Sequence, residues 1–410
     1  MTTAEEGRTR HVKPTIAAVS VLLIAINLRT AVTSVSPIIK TISAAVHLSN
    51  SQTSGLSAIP VLCFGVMAPL AIVFSHRLGI TRTLTLSMLL LVVGLGVRVT
   101  AGAWVLFAGT VVATTGIALS NVLLPAYVKG ECGRWAGPIT GAYSASLSGM
   151  AAVAAATSPA LASSGAGWRG ALGAWTLPAA IAAGFLILST RAHPSAAGRG
   201  GGRQPTALGQ KRWGWREIWR EHVWLNVIIM TSSQSIVYYS LLAWLPSIFE
   251  AHNFSTQKAG VLLSVFTVGG LPMSLILPSI AMRLSRQWPL VMFVTGLTAI
   301  GLAGLTLSPT HIPFAWVVLL ALGQGGIYAL VLTFFIIKTH DTGTTAQLSL
   351  IAQMTSFLVA AVGPFALGEL SDGERSWRLP LVLLLLVLVP QAWGGIKAGL
   401  LGPPEIYDAV

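Results

Sequence analysis

Twelve apolar stretches, most of them 20 residues or longer, follow one another along this chain, and that succession leaves it one class of fold. A helix needs about 20 predominantly apolar residues to cross the hydrocarbon core of a bilayer. Inside lipid, every backbone N–H and C=O must be satisfied by the chain itself, which selects helices for such segments. The stretches are predicted at about residues 15–40, 51–75, 80–99, 104–128, 137–162, 170–191, 222–249, 257–282, 288–308, 312–338, 345–369 and 377–400. The expected fold is therefore an all-α membrane protein of twelve transmembrane helices. Composition agrees: 54% of the 410 residues are hydrophobic and only 9% charged, against about 25% charged in soluble domains.

A net charge of +13 raises the question of nucleic acid, but the cations are sorted by side. With the N-terminus inside and twelve crossings, 18 of the 25 Lys and Arg fall in cytoplasmic segments, six outside or at outer helix ends, and Arg29 within the membrane. This positive-inside bias sets orientation, with both termini cytoplasmic and the chain in the inner membrane. The lipid bilayer is the expected partner, nucleic acid is not, and a monomer is the expected assembly. Residues 1–13 are polar and basic without a cleavage site after a short apolar core, so the first stretch is expected to be retained. Cys63 lies in an apolar run and Cys132 in a predicted cytoplasmic loop, neither placed for a disulfide. No metal-ligand spacing occurs, and no cofactor is expected.

One residue breaks the apolar pattern where it costs most. Arg29 stands near the middle of the first stretch, within Asn27-Leu28-Arg29-Thr30-Ala31-Val32-Thr33-Ser34. A guanidinium at that depth costs about 2.5–3.5 kcal/mol on insertion scales, so it is kept where it has a use. In a continuous helix Thr33 and Ser36 share its face. Two uses compete: a tie between helices through carbonyls or a hidden acid, and a cationic post in a water-filled cavity that receives an anionic or strongly polar substrate. The second is favoured here. The acids make the contrast, because all 12 Asp and Glu fall in loops or at helix ends, and the eight His are peripheral. No carboxylate is placed mid-membrane as a proton carrier. A co-transported proton would ride on the substrate or use a peripheral group such as His76, Glu250 or Glu369; uniport and exchange stay open.

The longest polar interval, residues 193–221, divides the chain. Its first part, with Gly200-Gly201-Gly202, reads as a flexible linker, and its second, with Trp213, Trp215 and Trp219 among cations, as a short interfacial helix. The flanking segments, 1–192 and 222–410, repeat each other. Ser36-Pro37-Ile38-Ile39 matches Leu245-Pro246-Ser247-Ile248, and Leu48-Ser49 with Gln52 and Gly55 matches Phe254-Ser255 with Gln257 and Gly260. His76-Arg77-Leu78 matches Met282-Arg283-Leu284, Lys129 matches Lys338, and Ser158-Pro159 matches Gly363-Pro364. Five matches in one order mark a parallel duplication of a six-helix unit.

Two six-helix halves joined by a long cytoplasmic loop resemble the major facilitator superfamily (MFS). The resemblance implies two pseudo-symmetric halves around a cavity lined chiefly by the first, fourth, seventh and tenth helices, with alternating access by rocking. That superfamily's signature after the second helix survives as His76-Arg77-Leu78-Gly79 with Arg82, His76 standing in place of an acid. Its antiporter signature is reduced to Ser158-Pro159, which disfavours drug/proton antiport. A narrower resemblance rests on residues 26–37, on Pro60-Val61-Leu62-Cys63-Phe64-Gly65-Val66-Met67-Ala68-Pro69-Leu70, on Gly323-Gln324-Gly325-Gly326, and on Ala346-Gln347-Leu348-Ser349 through Gly363-Pro364. These are similar to the cyanate transporter / nitroimidazole transporter family, over nearly the whole chain. Thr30 follows Arg29 where that family has Pro. The family's characterised members handle small polar or anionic compounds.

Placing intramembrane polar residues on the implied cavity helices gives the candidate substrate site. It comprises Arg29 and Thr33, Asn121 four residues before Pro125, Tyr238, Gln324 and Tyr328, with Gln353 on the eleventh helix. Aligned by the repeat, Tyr238 takes the position of Arg29. A cation faced by phenol and amide donors suits a carboxylate, cyanate or nitro group, and aromatic faces stack on flat substrates. Interhelical hydrogen bonding is the competing role for each. Gln234, Tyr143 and Gln347 are read as packing or gating residues, and Trp244 as interfacial. No His/Asp/Glu cluster, nucleophile constellation or phosphate loop points to an enzyme. The expected function is secondary transport of a small organic anion or anion-like polar compound. The alternatives are efflux of nitroaromatic or other flat drugs, and a non-transporting membrane sensor.

Overall fold

The computed structural model describes residues 14–132, 135–192, 222–339, 342–371 and 376–400; the predicted linker and interfacial helix lie outside the described residues. Among the described residues, twelve helical segments are long and apolar enough to cross a membrane. Spans 1 to 6 are Thr15–Val46, Asn50–Leu78, Ile80–Val97, Ala103–Val128, Pro138–Ser163 and Gly167–Arg191. Spans 7 to 12 are Val223–Glu250, Thr256–Ala281, Trp288–Leu307, Pro313–Ile337, Leu348–Leu370 and Arg378–Leu400.

The expectation of a continuous first helix is corrected. Span 1 is built from Pro14–Ala25, Thr30–Thr33, a 3₁₀ turn Ser36–Ile38 and Ile39–Val46. Its side chains compete with its own ladder. Asn27 Nδ2 donates to Leu23 O at 2.8 Å, Thr30 Oγ1 to Asn27 O at 3.2 Å, and Thr33 Oγ1 to Arg29 O at 3.0 Å. Over the same stretch the backbone tightens to three-residue links, Asn27 to Ile24 and Leu28 to Ala25. Short polar side chains offer the backbone such alternatives, and 3₁₀ stretches within helices follow.

The repeat reaches the backbone. His47 and Asn253 are the two non-glycine residues in the left-handed region among those described, at φ 53° and 65°. Each precedes a serine cap: Ser49 closes a capping box with Gln52 at the start of span 2, and Ser255 accepts from Lys258 N–H at the start of span 8. A serine at this position satisfies an N–H that the helix leaves free. Trp168 and Trp377, each followed by an arginine at the start of spans 6 and 12, are both buried.

Each half has its own apolar core, including Val21, Leu91, Ile117 and Leu186 in the first, and Leu241, Leu263, Leu320 and Leu384 in the second. Between the halves, span 2 packs on spans 11 and 5 on 8. A Cβ at Gly260 would stand 2.6 Å from Ala155 O, so only glycine admits span 5 there. Polar ties between the halves gather toward one end. Lys40 Nζ lies 3.7 Å from Glu250 Oε2, Ser51 Oγ donates to Glu369 Oε2 at 3.0 Å, and Ser36 Oγ donates to Ala243 O at 2.6 Å. This is the latched end. Trp244, expected at the bilayer interface, is instead 5% exposed and donates to Pro364 O at 2.7 Å. Span 11 covers it, and a buried indole N–H requires a partner.

Candidate functional site

The break in span 1 delivers Arg29 to the middle of the bundle. Its Nη1 donates to Tyr238 Oη at 2.7 Å, and its guanidinium carbon lies 5.4 Å from the centre of that ring. The partners are 209 residues apart, so the bond joins repeat-equivalent positions across the two halves. Tyr239, Tyr328 and Tyr143 also interact electrostatically with the guanidinium, bringing in spans 5 and 10. Among the described residues no carboxylate forms an ion pair with Arg29. Tyr238 touches it, and three further phenols lie within electrostatic range.

Those phenols continue into a collar of rings. Tyr238 meets Tyr239 edge to face, with centroids 5.2 Å apart, and stacks on Phe266 at 5.6 Å. Tyr239 makes T-shaped contacts with Phe64 at 6.3 Å and Phe357 at 5.9 Å, which meet each other at 5.8 Å. Phe64 comes from span 2 and Phe357 from span 11, so the collar bridges the halves. Ring edges carry partial positive charge and ring faces partial negative charge. A single cation among such rings favours a planar group that is negative at one end and apolar along its body.

The break is clamped from behind. Arg98, 1% exposed, donates from Nη1 to Ala31 O at 3.0 Å and from Nη2 to Leu172 O at 3.3 Å, while Asn27 Nδ2 reaches Pro178 O at 3.3 Å. These contacts occupy carbonyls next to the interruption, where an unsatisfied buried group costs about 1–3 kcal/mol.

The structure brings Arg29, Tyr238 and Tyr328 together and separates other candidates from them. Thr33 is buried, its hydroxyl turned back to the Arg29 carbonyl. Gln324 is 1% exposed, and its Oε1 accepts from Gln234 Nε2 at 3.3 Å, tying span 10 to span 7. Gln353 is half-buried and donates within its own helix to Ser349 Oγ at 2.8 Å. Asn121 is half-buried on span 4, above an exposed Pro125, and the side chain of Gln347 lies outside the described residues. Tyr328, Leu332 and Ile336 form an exposed stripe on span 10, running away from the latched end. Sequence reasoning missed Tyr239, Phe64, Phe266, Phe357 and Arg98. Arg98 had a signal: it is flanked by Leu95-Gly96-Val97 and Val99, an apolar setting for a supposed outer cation.

The chain is 34% identical to the uncharacterized transporter YycB of Bacillus subtilis (strain 168), over 92% of each chain. It is 32% identical to the 2-nitroimidazole transporter of Escherichia coli (strain K12), over 92% of this chain and 94% of that one. It is 26% identical to the cyanate transport protein CynX of the same organism, over 85% and 88%. The fold matches the crystal structure of a bacterial homologue of the human lysosomal transporter Spinster, inward-facing and unoccupied, with a TM-score of 0.76 at 14% identity, over 94% of this chain and 97% of that one. Residues 21–364 match the model of the Major Facilitator Superfamily. That match covers most of the chain, and the chain belongs to the Major Facilitator Superfamily.

Proposed function

We propose that this protein is a secondary carrier, in the inner membrane with both termini cytoplasmic, that moves a small planar organic anion or anion-like polar compound by alternating access. Cyanate-like, carboxylate and nitroaromatic molecules share that description. The observation that carries the reading is Arg29, a mid-membrane cation surrounded by phenols and paired with no described acid. A guanidinium offers five donors in a planar fork, and Tyr238 takes one. The remaining donors suit the two oxygens of a carboxylate or nitro group, and the ring collar suits a flat body. The names of two relatives, a 2-nitroimidazole transporter and a cyanate transport protein, support cargo of this shape. In the proposed orientation the latched end is external, and the exposed stripe on span 10 supports a state open toward the cytoplasm.

Charge then links binding to movement. An empty site carries about one positive charge; a bound monoanion brings it close to zero. Moving an uncompensated charge through a low-dielectric constriction is costly, so the loaded carrier reorients more readily than the empty one.

The test is thermal-shift screening of purified protein against carboxylates, cyanate and nitroimidazoles, repeated on two variants. A ligand that stabilises the parent is expected to lose most of its effect with Arg29→Lys, which keeps charge but not the fork, and all of it with Arg29→Ala. Well-folded variants that respond like the parent would overturn the reading.

A further inference from the structure

Spans 1 and 6 are both interrupted, and the two interruptions are stitched together. Span 6 consists of the helices Gly167–Gly173 and Thr176–Ala192. The cause lies in the sequence: Pro178 has no N–H to give the Ala174 carbonyl, and its ring clashes with a continuing helix. The Leu177 N–H closes a three-residue link to that carbonyl instead, at 3.3 Å.

The bonds from span 1 land on either side of this step. Asn27, two residues before Arg29, donates to Pro178 O beyond the step at 3.3 Å. Ala31, two residues after Arg29, is tied through Arg98, which donates from Nη1 to Ala31 O at 3.0 Å and from Nη2 to Leu172 O, before the step, at 3.3 Å. Arg29 is thus bracketed by two anchors on span 6. Asn27 and Arg98 are each 1% exposed, so water has little access to these bonds. Arg98 is seated against span 4, where a Cβ at Gly109 would stand 2.6 Å from the Arg98 Cβ.

In front of the break the packing is open. A small cavity of about 30 Å³, room for a water molecule or two, borders Ala31 and Val32 on one side and Tyr239 on the other. The angle of the break is therefore held from behind. Asn27 Nδ2 also takes Leu23 O at 2.8 Å, the carbonyl its own N–H would take in a regular helix; that N–H bonds Ile24 O instead, at 3.0 Å. Winding decides direction, since a residue wound at three per turn advances about 20° more than one at 3.6. Across residues 26–29, between the helices of span 1, this amounts to as much as about 80°. Such a turn would swing Arg29 off Tyr238.

We propose that the step in span 6 is a positioning element for the Arg29 site, with Asn27 and Arg98 as its positioning residues. It fixes the direction in which Arg29 leaves span 1, and with it the reach of the guanidinium to Tyr238 and to cargo. The part that concerns cargo rests on the reading of Arg29 as the substrate site; the part that concerns Tyr238 does not.

The contact is read by ¹⁹F NMR of the purified full chain with 3-fluorotyrosine at position 238 and no cargo present. Arg29→Gln marks the resonance of a ring that has lost the guanidinium. Asn27→Ala and Arg98→Lys should each displace the parent resonance toward that mark; should one of them not fold, the other decides. Pro178→Ala is the sharper variant. It returns the missing N–H and removes the ring, so the helix of span 6 is strengthened. The resonance should nevertheless move the same way, because Leu172 O and Pro178 O shift relative to each other. A clamp that serves stability alone would change the unfolding midpoint and leave the resonance in place. A parent-like resonance in Pro178→Ala overturns the role of the step, and parent-like resonances in the clamp variants overturn the role of Asn27 and Arg98. An Arg29→Gln resonance that stays with the parent overturns both. Because no cargo is present, a chain that binds no carboxylate, cyanate or nitroimidazole refutes the central reading and leaves this result standing.

Discussion

Tyr238→Phe removes one oxygen atom and little else. The ring keeps its place over Phe266 and beside Tyr239, while Arg29 Nη1 loses an acceptor at 2.7 Å. A hydrogen bond to a charged group contributes about 1.5–3 kcal/mol in soluble proteins. Measured interhelical bonds in membranes average about 0.6 and reach about 1.7 kcal/mol. Arg29 is half-buried and regains water when released, so the membrane range applies. The bond also spans the two halves, and separating them at the latched end breaks it along with the ties at Lys40, Ser36 and Ser51. Its loss should therefore favour opening there by about three- to eighteenfold, the same range expressed as a ratio. Ser57 borders the small cavity next to Tyr239, and a cysteine at that position reports opening. In a background without Cys63 and Cys132, the reaction of Ser57→Cys with an impermeant thiosulfonate should accelerate by that factor, because a rare open state reacts in proportion to its population. In an Arg29→Gln background the same substitution should change nothing. An unchanged or slower rate, or an equal acceleration without Arg29, would refute the argument.

Three further outcomes follow from the same geometry. Arg98→Met strands the carbonyls of Ala31 and Leu172 at about 1–3 kcal/mol each, so thermal unfolding should fall by several degrees and Arg98→Lys should recover part of it; an unchanged midpoint contradicts the clamp. Burial and then the neighbouring Glu131 charge push the Cys132 thiol above its ordinary pKa, which lowers its thiolate fraction near pH 7. Maleimide should label Cys132 more slowly in folded than in unfolded protein, with a rate that climbs as pH rises; equal rates near neutrality contradict this. In proteoliposomes with potential and pH gradient set independently, counterflow of an anionic substrate should outpace its net uptake. Net uptake as fast as exchange, with no pH gradient imposed, would remove the charge-compensation step.

Much of the architecture was legible because lipid leaves few options. Apolar length alone marks the twelve spans, and the serine caps at Ser49 and Ser255 could be matched by eye across the repeat. Arg29 stood out because a charge inside an apolar run is costly, and the repeat named its partner, since Tyr238 is the residue 209 positions on. The break in span 1 was not legible. Asn27, Thr30 and Thr33 are each tolerated in a continuous helix, and only together do they pull the ladder apart. Gln324 and Gln234 show a second limit. Helical spacing puts each one turn from a tyrosine, yet the amides bond each other and only the phenol at 328 stays exposed. The aromatic collar was hidden for a third reason: Phe64 and Phe357 are apolar residues in apolar spans of opposite halves, and their meeting depends on how the halves close.

The 209-residue separation of Arg29 and Tyr238 also constrains how the chain can have diverged from its duplicated form. Parallel repeats are related by a rotation axis along the membrane normal, and a residue on such an axis meets its own image. Away from the axis, two copies of one residue face different neighbours and can stay alike, as the serine caps do. On it, a perfectly repeated arginine would confront an arginine at hydrogen-bond range, with no acid paired to it among the described residues. The axis is thus the one place where the copies had to become different for the molecule to close. Lys40 and Glu250, 210 positions apart, carry the same asymmetry to the latched end as opposite charges. A chain that is nearly symmetric in backbone is for that reason polar across its seam, with the fixed cation in one half and the phenol in the other.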